Sequence, residues 1–517
     1  MNGAEALVRT LIASGVDTCF MNPGTTEIHL VDALDRVPEM RGVLALFEGV
    51  ATGAADGYGR MRGRPAATLL HLGPGLGNGL ANLHNARRAR SPVVNIVGDH
   101  ATSHERHDAP LQSDIDTVAR NVSRFVRRST RPEDVGADAR AAVTAALGPP
   151  GQVATLVVPA DVSWSAGGAV AAPASPAAPA ASDPARVEAI AAALRSGQPC
   201  VMLIGGRACR GEALVLAAAI ASVTKAKILC ETFPARLERG AGRPPVDRLA
   251  YFGDTALGQM GPARHVVLVD APAPASFFAY PGAPSLLVPA GCATHALCSP
   301  EGDPLEALRM LADAVGARAA DAPRQEASRP ALPAGRLGTD AANTALAALM
   351  PEGAIVVDEG NTSTVFAAGR TAGAPPHDWL CLSGGSIGFG LPAAVGAAIA
   401  CPDRKVVVLE SDGSAMYSLQ AWWTMARAGL DVTTLLLTNR SYAVLNMELG
   451  RAVAGEGGGG PRAREMLDLS RPDIDFVSLA RGMGLQASRS TTADELVDQL
   501  GRALATTGPS VIELVLA

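Results

Sequence analysis

Asp412 and Asn439 carry the oxygen chemistry of a hard cation site. Each closes an apolar run, in "KVVVLESDGS" and "DVTTLLLTN", and they lie 27 residues apart. That interval allows one helical crossover between parallel strands. It brings a carboxylate and an amide oxygen together over Gly413, which has no side chain to block a ligand. Oxygen ligands of this kind suit Mg²⁺, which keeps octahedral geometry and bridges protein to phosphates. Taken alone, Asp412 would serve equally as a helix N-cap or a turn residue. Two neighbouring stretches add anion chemistry. "DEGNTSTVF" places Asn361, Thr362 and Ser363 just after a strand, where hydroxyls and N–H groups at a helix start hold an anion. "SGGSIGFGLPAAVGAAIAC" puts a glycine-rich turn before an Ala-rich helix. Tight backbone packing would explain that turn alone. Three such strand tips in one block point to a phosphate-bearing ligand.

Strands must carry these residues. "AATLLHL", "SPVVNIVGD" and "ATLVVPAD" read as buried strands in the first part of the chain. "PCVMLIGG", "KAKILCE" and "RHVVLVDAP" do so in the middle, and "AIVVDEG", "DRKVVVLESDG", "DVTTLLLTN" and "PSVIELVLA" in the last part. Near-continuous Val/Leu/Ile runs alternating with helix-like stretches indicate parallel sheets covered on both faces. The expectation is α/β, with three doubly wound parallel-sheet domains at 1–165, 186–317 and 336–517. The Ala/Pro/Gly/Ser-rich stretches 165–185 and 318–335 join them as linkers. Ligands in such sheets bind beyond the carboxyl ends of the strands.

The totals narrow the class. The chain has 517 residues, 48% hydrophobic and 18% charged, with formal net charge −6. No basic block suggests nucleic acid or an anionic membrane. No apolar run reaches the roughly 18–20 residues of a membrane span. Glu5 interrupts the N-terminal segment, so no signal peptide is read. Eight scattered cysteines without a CxxC fit free thiols in a reducing cytoplasm.

With these residues quoted, the chain resembles thiamine diphosphate (ThDP)-dependent enzymes of the acetolactate synthase, pyruvate oxidase and benzoylformate decarboxylase superfamily. The likeness covers nearly the whole chain and implies pyrimidine-binding, central and diphosphate-binding domains. The family's GDG…NN cofactor motif reads here "SDGS"…"TNRSY", with Ser411 for the first glycine and Thr438 for the first asparagine. The resemblance implies that Asp412, Asn439 and the Ser441 carbonyl hold Mg²⁺. Ser411, Gly413, Ser414 and Tyr442, with Asn361, Thr362 and Ser363, would surround the diphosphate. The Gly385 carbonyl would accept from the cofactor's amino group, and Ile387 would prop the cofactor's bend. "LALFEGVATGAADGYGR" is similar to the segment carrying the activating glutamate, here Glu48; alone, Glu48 would read as a first-turn carboxylate facing the helix dipole. His71 matches an active-site histidine able to deliver a proton near neutral pH, although a satisfied histidine at a strand end looks the same in sequence. Thr25, in "NPGTTE", matches the hydroxyl placed over the substrate carboxylate.

The implied reaction is decarboxylation of a 2-oxo acid, followed by protonation or by addition to a second carbonyl. Benzoylformate decarboxylases bring a second histidine from the central domain. The comparable stretch here, "ASFFAYPGAPS", has none and offers Tyr280 instead. FAD is not supported by "LIGGRAC". The resemblance implies a homodimer or homotetramer with the active site between subunits. A non-catalytic or regulatory ThDP-binding protein is the alternative; a Rossmann nucleotide binder fits poorly, lacking GxGxxG after the first strand. His100, His104 and His107 read as a polar loop rather than a zinc site. The glycine-rich 450–466 stretch reads equally as a lid or as a disordered loop.

Overall fold

The computed structural model describes residues 1–452 and 459–516. Its strands form three sheets. The first contains β1 (Thr18–Asn22), β2 (Arg41–Leu44), β3 (Ala66–Leu70), β4 (Val93–Asp99), β5 (Phe125–Arg128) and β6 (Val153–Pro159), in the order β2-β1-β3-β4-β6-β5. The middle of the chain supplies β7 (Cys200–Ile204), β8 (Lys227–Cys230), β9 (Leu237–Arg239), β10 (Asp247–Arg248), β11 (His265–Val269) and β12 (Ala293–Cys298). Five of these form a sheet ordered β10-β8-β7-β11-β12. The last sheet holds β13 (Ile355–Glu359), β14 (His377–Cys381), β15 (Val406–Ser411), β16 (Val432–Thr438), β17 (Gln486–Ser490) and β18 (Ser510–Val515). Its order is β17-β18-β16-β15-β13-β14-β9.

Every strand pair is parallel except one: β9 joins the edge of the last sheet antiparallel to β14, with Leu237 opposite Trp379. The fold is therefore three-domain α/β, with a strand from the middle of the chain sewn into the last sheet. The expectation of purely parallel sheets missed that strand. Three residues carrying Glu238 and Arg239 give too little apolar signal to read as a strand.

Each sheet has a topological switch point, where successive crossovers leave in opposite directions. In the first sheet it lies between β1 and β3, in the middle sheet between β7 and β11, and in the last between β13 and β15. The loops leaving these strands meet over a crevice.

Two helices weld the first and last sheets. Helix Glu48–Arg62 is buried along almost its whole length and crosses helix Gly390–Ala400. Glycine permits the approach. A Cβ on Gly57 would sit 2.1 Å from the Ala393 carbonyl oxygen, and one on Gly396 would sit 1.8 Å from that of Ala54. Arg60 is buried at this crossing. It is held by both Asp56 oxygens at 2.8 and 2.7 Å, donates to the Cys381 carbonyl, and lies over the Phe389 ring. A buried guanidinium persists only when paired in this way. One hydrophobic core consequently runs from Phe20 and Val50 through Leu391 to Trp422. The eight cysteines are free. No helix among the described residues is long and apolar enough to cross a membrane.

Candidate active site

At the first switch point, the turn after β1 and the end of β3 face each other. Thr25 opens a short 3₁₀ turn and is exposed. Two residues on, Glu27 is fully buried. It accepts from the Gly24 N–H at 2.8 Å and from Thr26 Oγ1 at 2.5 Å, and its Oε2 lies 2.8 Å from His71 Nδ1. A carboxylate on Nδ1 fixes the proton there and leaves Nε2 free to exchange one. His71 precedes Leu72, whose φ of +47° is a left-handed conformation that a leucine adopts only when its surroundings enforce it. Glu27 was not singled out in the sequence; its contact exists only because β1 and β3 are neighbours.

Glu48 begins helix Glu48–Arg62 and is 7% exposed. Asn78 Nδ2 donates to its Oε2 at 3.0 Å, and a Cβ on Gly75 would lie 3.0 Å from its Oε1. Both neighbours come from helix Leu72–Ala89, which starts just after His71. That same helix clamps the glycine-rich turn of the last domain. Asn82 donates to the Gly388 carbonyl, Asn85 to that of Ser386, and the His84 Nε2 lies 3.1 Å from the Gly384 carbonyl oxygen. Gly385 turns with φ of +73°, beneath the Phe277 ring from the middle of the chain. Ile387 packs partly buried against the shared core. From below, Glu359 accepts the Gly388 N–H at 2.9 Å and the Gly390 N–H at 2.5 Å. Glu410 faces Glu359. Burial pushes Glu359 up to about 7, and burial and then Glu359 push Glu410 well above the usual carboxylate range.

At the last switch point, Asp412 is buried in a nest of backbone N–H groups. It accepts from Gly413 at 2.9 Å, Asn439 at 3.1 Å and Arg440 at 2.6 Å. Arg440 has φ of +55°, the left-handed turn that aims successive amides at one anion. Burial raises the Asp412 pKa, and those donors oppose it. Asn439 Oδ1 accepts from the Ser441 N–H at 3.0 Å, and the Ser441 carbonyl accepts from Ala443. A Cβ on Gly413 would meet the Tyr442 ring at 2.7 Å. Asn361, with φ of +48°, donates to Ser411 Oγ at 3.3 Å and to Ser414 Oγ at 3.2 Å. Ser411 uses its own hydroxyl on the Glu359 carbonyl, which gives this departure from glycine a structural place. Thr362 is partly exposed and Ser363 buried. The segment holding both is a 3₁₀ turn, Asn361–Thr364, where a helix start was expected. The oxygen-only donors, the glycine floor and the anion-accepting turn fit a Mg²⁺–diphosphate group.

The structure thus gathers Thr25, His71 and Glu48 on the first domain, and Asn361, Ser411, Asp412, Gly413, Ser414, Asn439, Ser441 and Tyr442 on the last. Among the described residues, no hydrogen bond or ion pair links Glu48, Thr25 or His71 to the Asp412 set. Tyr280 does not stand free as a substitute for a histidine. Its hydroxyl donates to Glu448 at 3.0 Å, and Arg451 lies over its ring. The His100, His104 and His107 rings lie tilted against one another, and no group of three His, Cys, Asp or Glu among the described residues could hold a metal. Residues 453–458 of the glycine-rich stretch lie outside the described residues.

Known proteins place this arrangement. Residues 1–119 match the family described as thiamine pyrophosphate enzyme, N-terminal TPP binding domain, and residues 358–514 match the corresponding C-terminal TPP binding domain. The chain belongs to the thiamine diphosphate-dependent enzyme family. It is 58% identical over 515 residues to the Mycobacterium tuberculosis protein named "Putative acetolactate synthase large subunit IlvX", covering 100% of this chain and 99% of that one. It is 30% identical over 527 residues to the benzoylformate decarboxylase of Pseudomonas aeruginosa, covering 97% and 96%. The solved structure of a thiamine diphosphate-dependent 4-hydroxybenzoylformate decarboxylase from Rhodococcus jostii superposes with a TM-score of 0.83, at 26% identity and covering 100% and 99% of the chains.

Proposed function

We propose that this chain is a ThDP- and Mg²⁺-dependent enzyme that removes CO₂ from a 2-oxo acid. The remaining acyl carbon is then either protonated or joined to a second carbonyl. The observation that carries the reading is Glu48, a buried carboxylate held by Asn78 and packed where only a glycine, Gly75, leaves it room. A merely structural fold would gain nothing from burying it there. Bound thiamine diphosphate supplies the electron sink for the departing carboxylate. Asp412, Asn439 and the Ser441 carbonyl hold Mg²⁺. Asn361, Thr362, Ser363, Ser411, Gly413, Ser414 and Tyr442 surround the diphosphate. The Gly385 carbonyl and Ile387 orient the cofactor rings, and Glu48 holds the proton at the pyrimidine nitrogen. Thr25 binds the substrate carboxylate, and His71, oriented by Glu27, gives its proton from Nε2 to the acyl carbon. As the resemblance implies, two copies complete the site, in a homodimer or homotetramer. Eight free thiols suit a reducing cytoplasm.

Product analysis tests this. The protein is incubated with ThDP, Mg²⁺ and benzoylformate or pyruvate, and CO₂ and products are followed by mass spectrometry. Aldehyde identifies protonation, which the Glu27–His71 pair favours. An acyloin or acetohydroxy acid identifies ligation. Bound ThDP without CO₂ from either acid would leave the non-catalytic reading standing.

A further inference from the structure

Beyond β9, the middle sheet touches the last one through Arg248 on β10. Its partner is Asp358 on β13, a buried carboxylate whose two oxygens serve different groups. Oδ2 faces the framework. It accepts from Trp379 Nε1 at 3.1 Å, and Arg248 Nη1 lies 3.7 Å away. Oδ1 faces the turn that follows β13. It accepts the Gly360 N–H at 3.3 Å and the Thr364 hydroxyl at 2.7 Å.

Those last two donors stand at opposite ends of one turn, with Asn361, Thr362 and Ser363 between them. Asn361 holds a left-handed φ of +48°, which its surroundings must enforce. From that conformation its side chain reaches Ser411 and Ser414. The closure is tight, since a Cβ on Gly360 would sit 2.2 Å from Thr364 Cγ2. Thr364 Oγ1 also lies 3.3 Å from the Asn361 carbonyl oxygen. Burying a carboxylate is costly, and apolar residues of the same volume would often serve stability as well. What the charge adds here is geometry. Bonds to an ionised acceptor are short and strong, and one oxygen fixes both ends of the turn while the sheet and the middle domain hold the other.

We propose that Asp358 is a positioning residue for the cofactor. It clamps the 360–364 turn in the shape that receives the diphosphate, and Arg248 makes that clamp depend on the middle domain. The proposal rests on the reading of Asn361, Thr362 and Ser363 as diphosphate residues.

The test titrates the full chain, freed of cofactor, with ThDP at saturating Mg²⁺ by calorimetry, and records the melting temperature of the same cofactor-free protein. Thr364→Val keeps the side-chain volume and removes the hydroxyl; it should weaken ThDP binding at least about fivefold. Thr364→Ser keeps the hydroxyl and should bind within about twofold of the wild type. Arg248→Gln, in another sheet, should also weaken ThDP binding. The double variant should bind no worse than the weaker single one, because both act through one carboxylate. Unchanged ThDP affinity with a lowered melting temperature, serine no better than valine, or losses that simply add would overturn the proposal. If Thr364→Val does not fold, Arg248→Gln decides alone, and wild-type affinity in that variant overturns it. A wild-type chain that binds no ThDP would overturn the cofactor reading itself, and this proposal with it.

Discussion

Glu27 and His71 form the most informative residue pair in the first domain. Glu27→Gln keeps the size but loses the charge that holds the imidazole proton on Nδ1. Turnover should fall by about tenfold or more with little change in KM, and the pH–rate profile should move with it. A parallel drop in melting temperature with an unmoved profile would make Glu27 a packing residue only. Glu48→Gln should reduce turnover by about 10²–10⁴-fold while ThDP affinity, measured by calorimetry, stays within a few-fold. Asp412→Ala should do the reverse, weakening Mg²⁺-dependent ThDP binding at least tenfold, since it removes the anionic oxygen of the cation set. In the sequence, Asp412 and Asn439 stand out because each closes an apolar run, whereas Glu48 and His71 are named only through the family resemblance. The sequence did not expose Glu27, Asn78, Asn82 or Asn85. Their partners lie on other strands or in another domain, and no local spacing encodes that.

At the scale of elements, the crossing of helices Glu48–Arg62 and Gly390–Ala400 is set by glycine rather than by large apolar side chains. Gly396→Ala places a methyl against the Ala54 carbonyl and forces the helices apart. The cost should be on the order of 1–3 kcal/mol, read as a lowered urea midpoint. The Glu359–Glu410 pair beneath the glycine-rich turn makes a pH prediction. Burial lifts the Glu359 pKa from 4.5 to about 7. The folded state therefore holds its proton more tightly, and stability is lost as pH rises through about 7. Urea midpoints should fall from about pH 4.5 to about 7, and Glu410→Gln should flatten that slope by removing a second acid whose pKa folding raises. Most central strands were legible as Val/Leu/Ile runs; β1 and β14, and the edge strands β2, β5, β10, β12 and β17, were not, because strands this short or mixed in polarity lack an apolar period.

For the whole molecule, a site shared between two copies predicts complementation. Glu48→Gln and Asp412→Ala chains, assayed at ThDP low enough that each alone is nearly inactive, should regain about one quarter of wild-type activity when unfolded together and reassembled, since half of randomly paired dimers carry one intact site. No recovery, with mixed dimers verified by mass, would place each complete site within a single chain. The antiparallel β9 has a consequence of its own for anyone dividing this protein. Excising the middle of the chain to join the two cofactor-binding domains would strip β14 of its neighbour. The row of backbone donors and acceptors from His377 to Trp379, now satisfied by Leu237–Arg239, would face solvent. A shortened protein of that kind should precipitate by strand-to-strand association, even with both halves of its chemistry present.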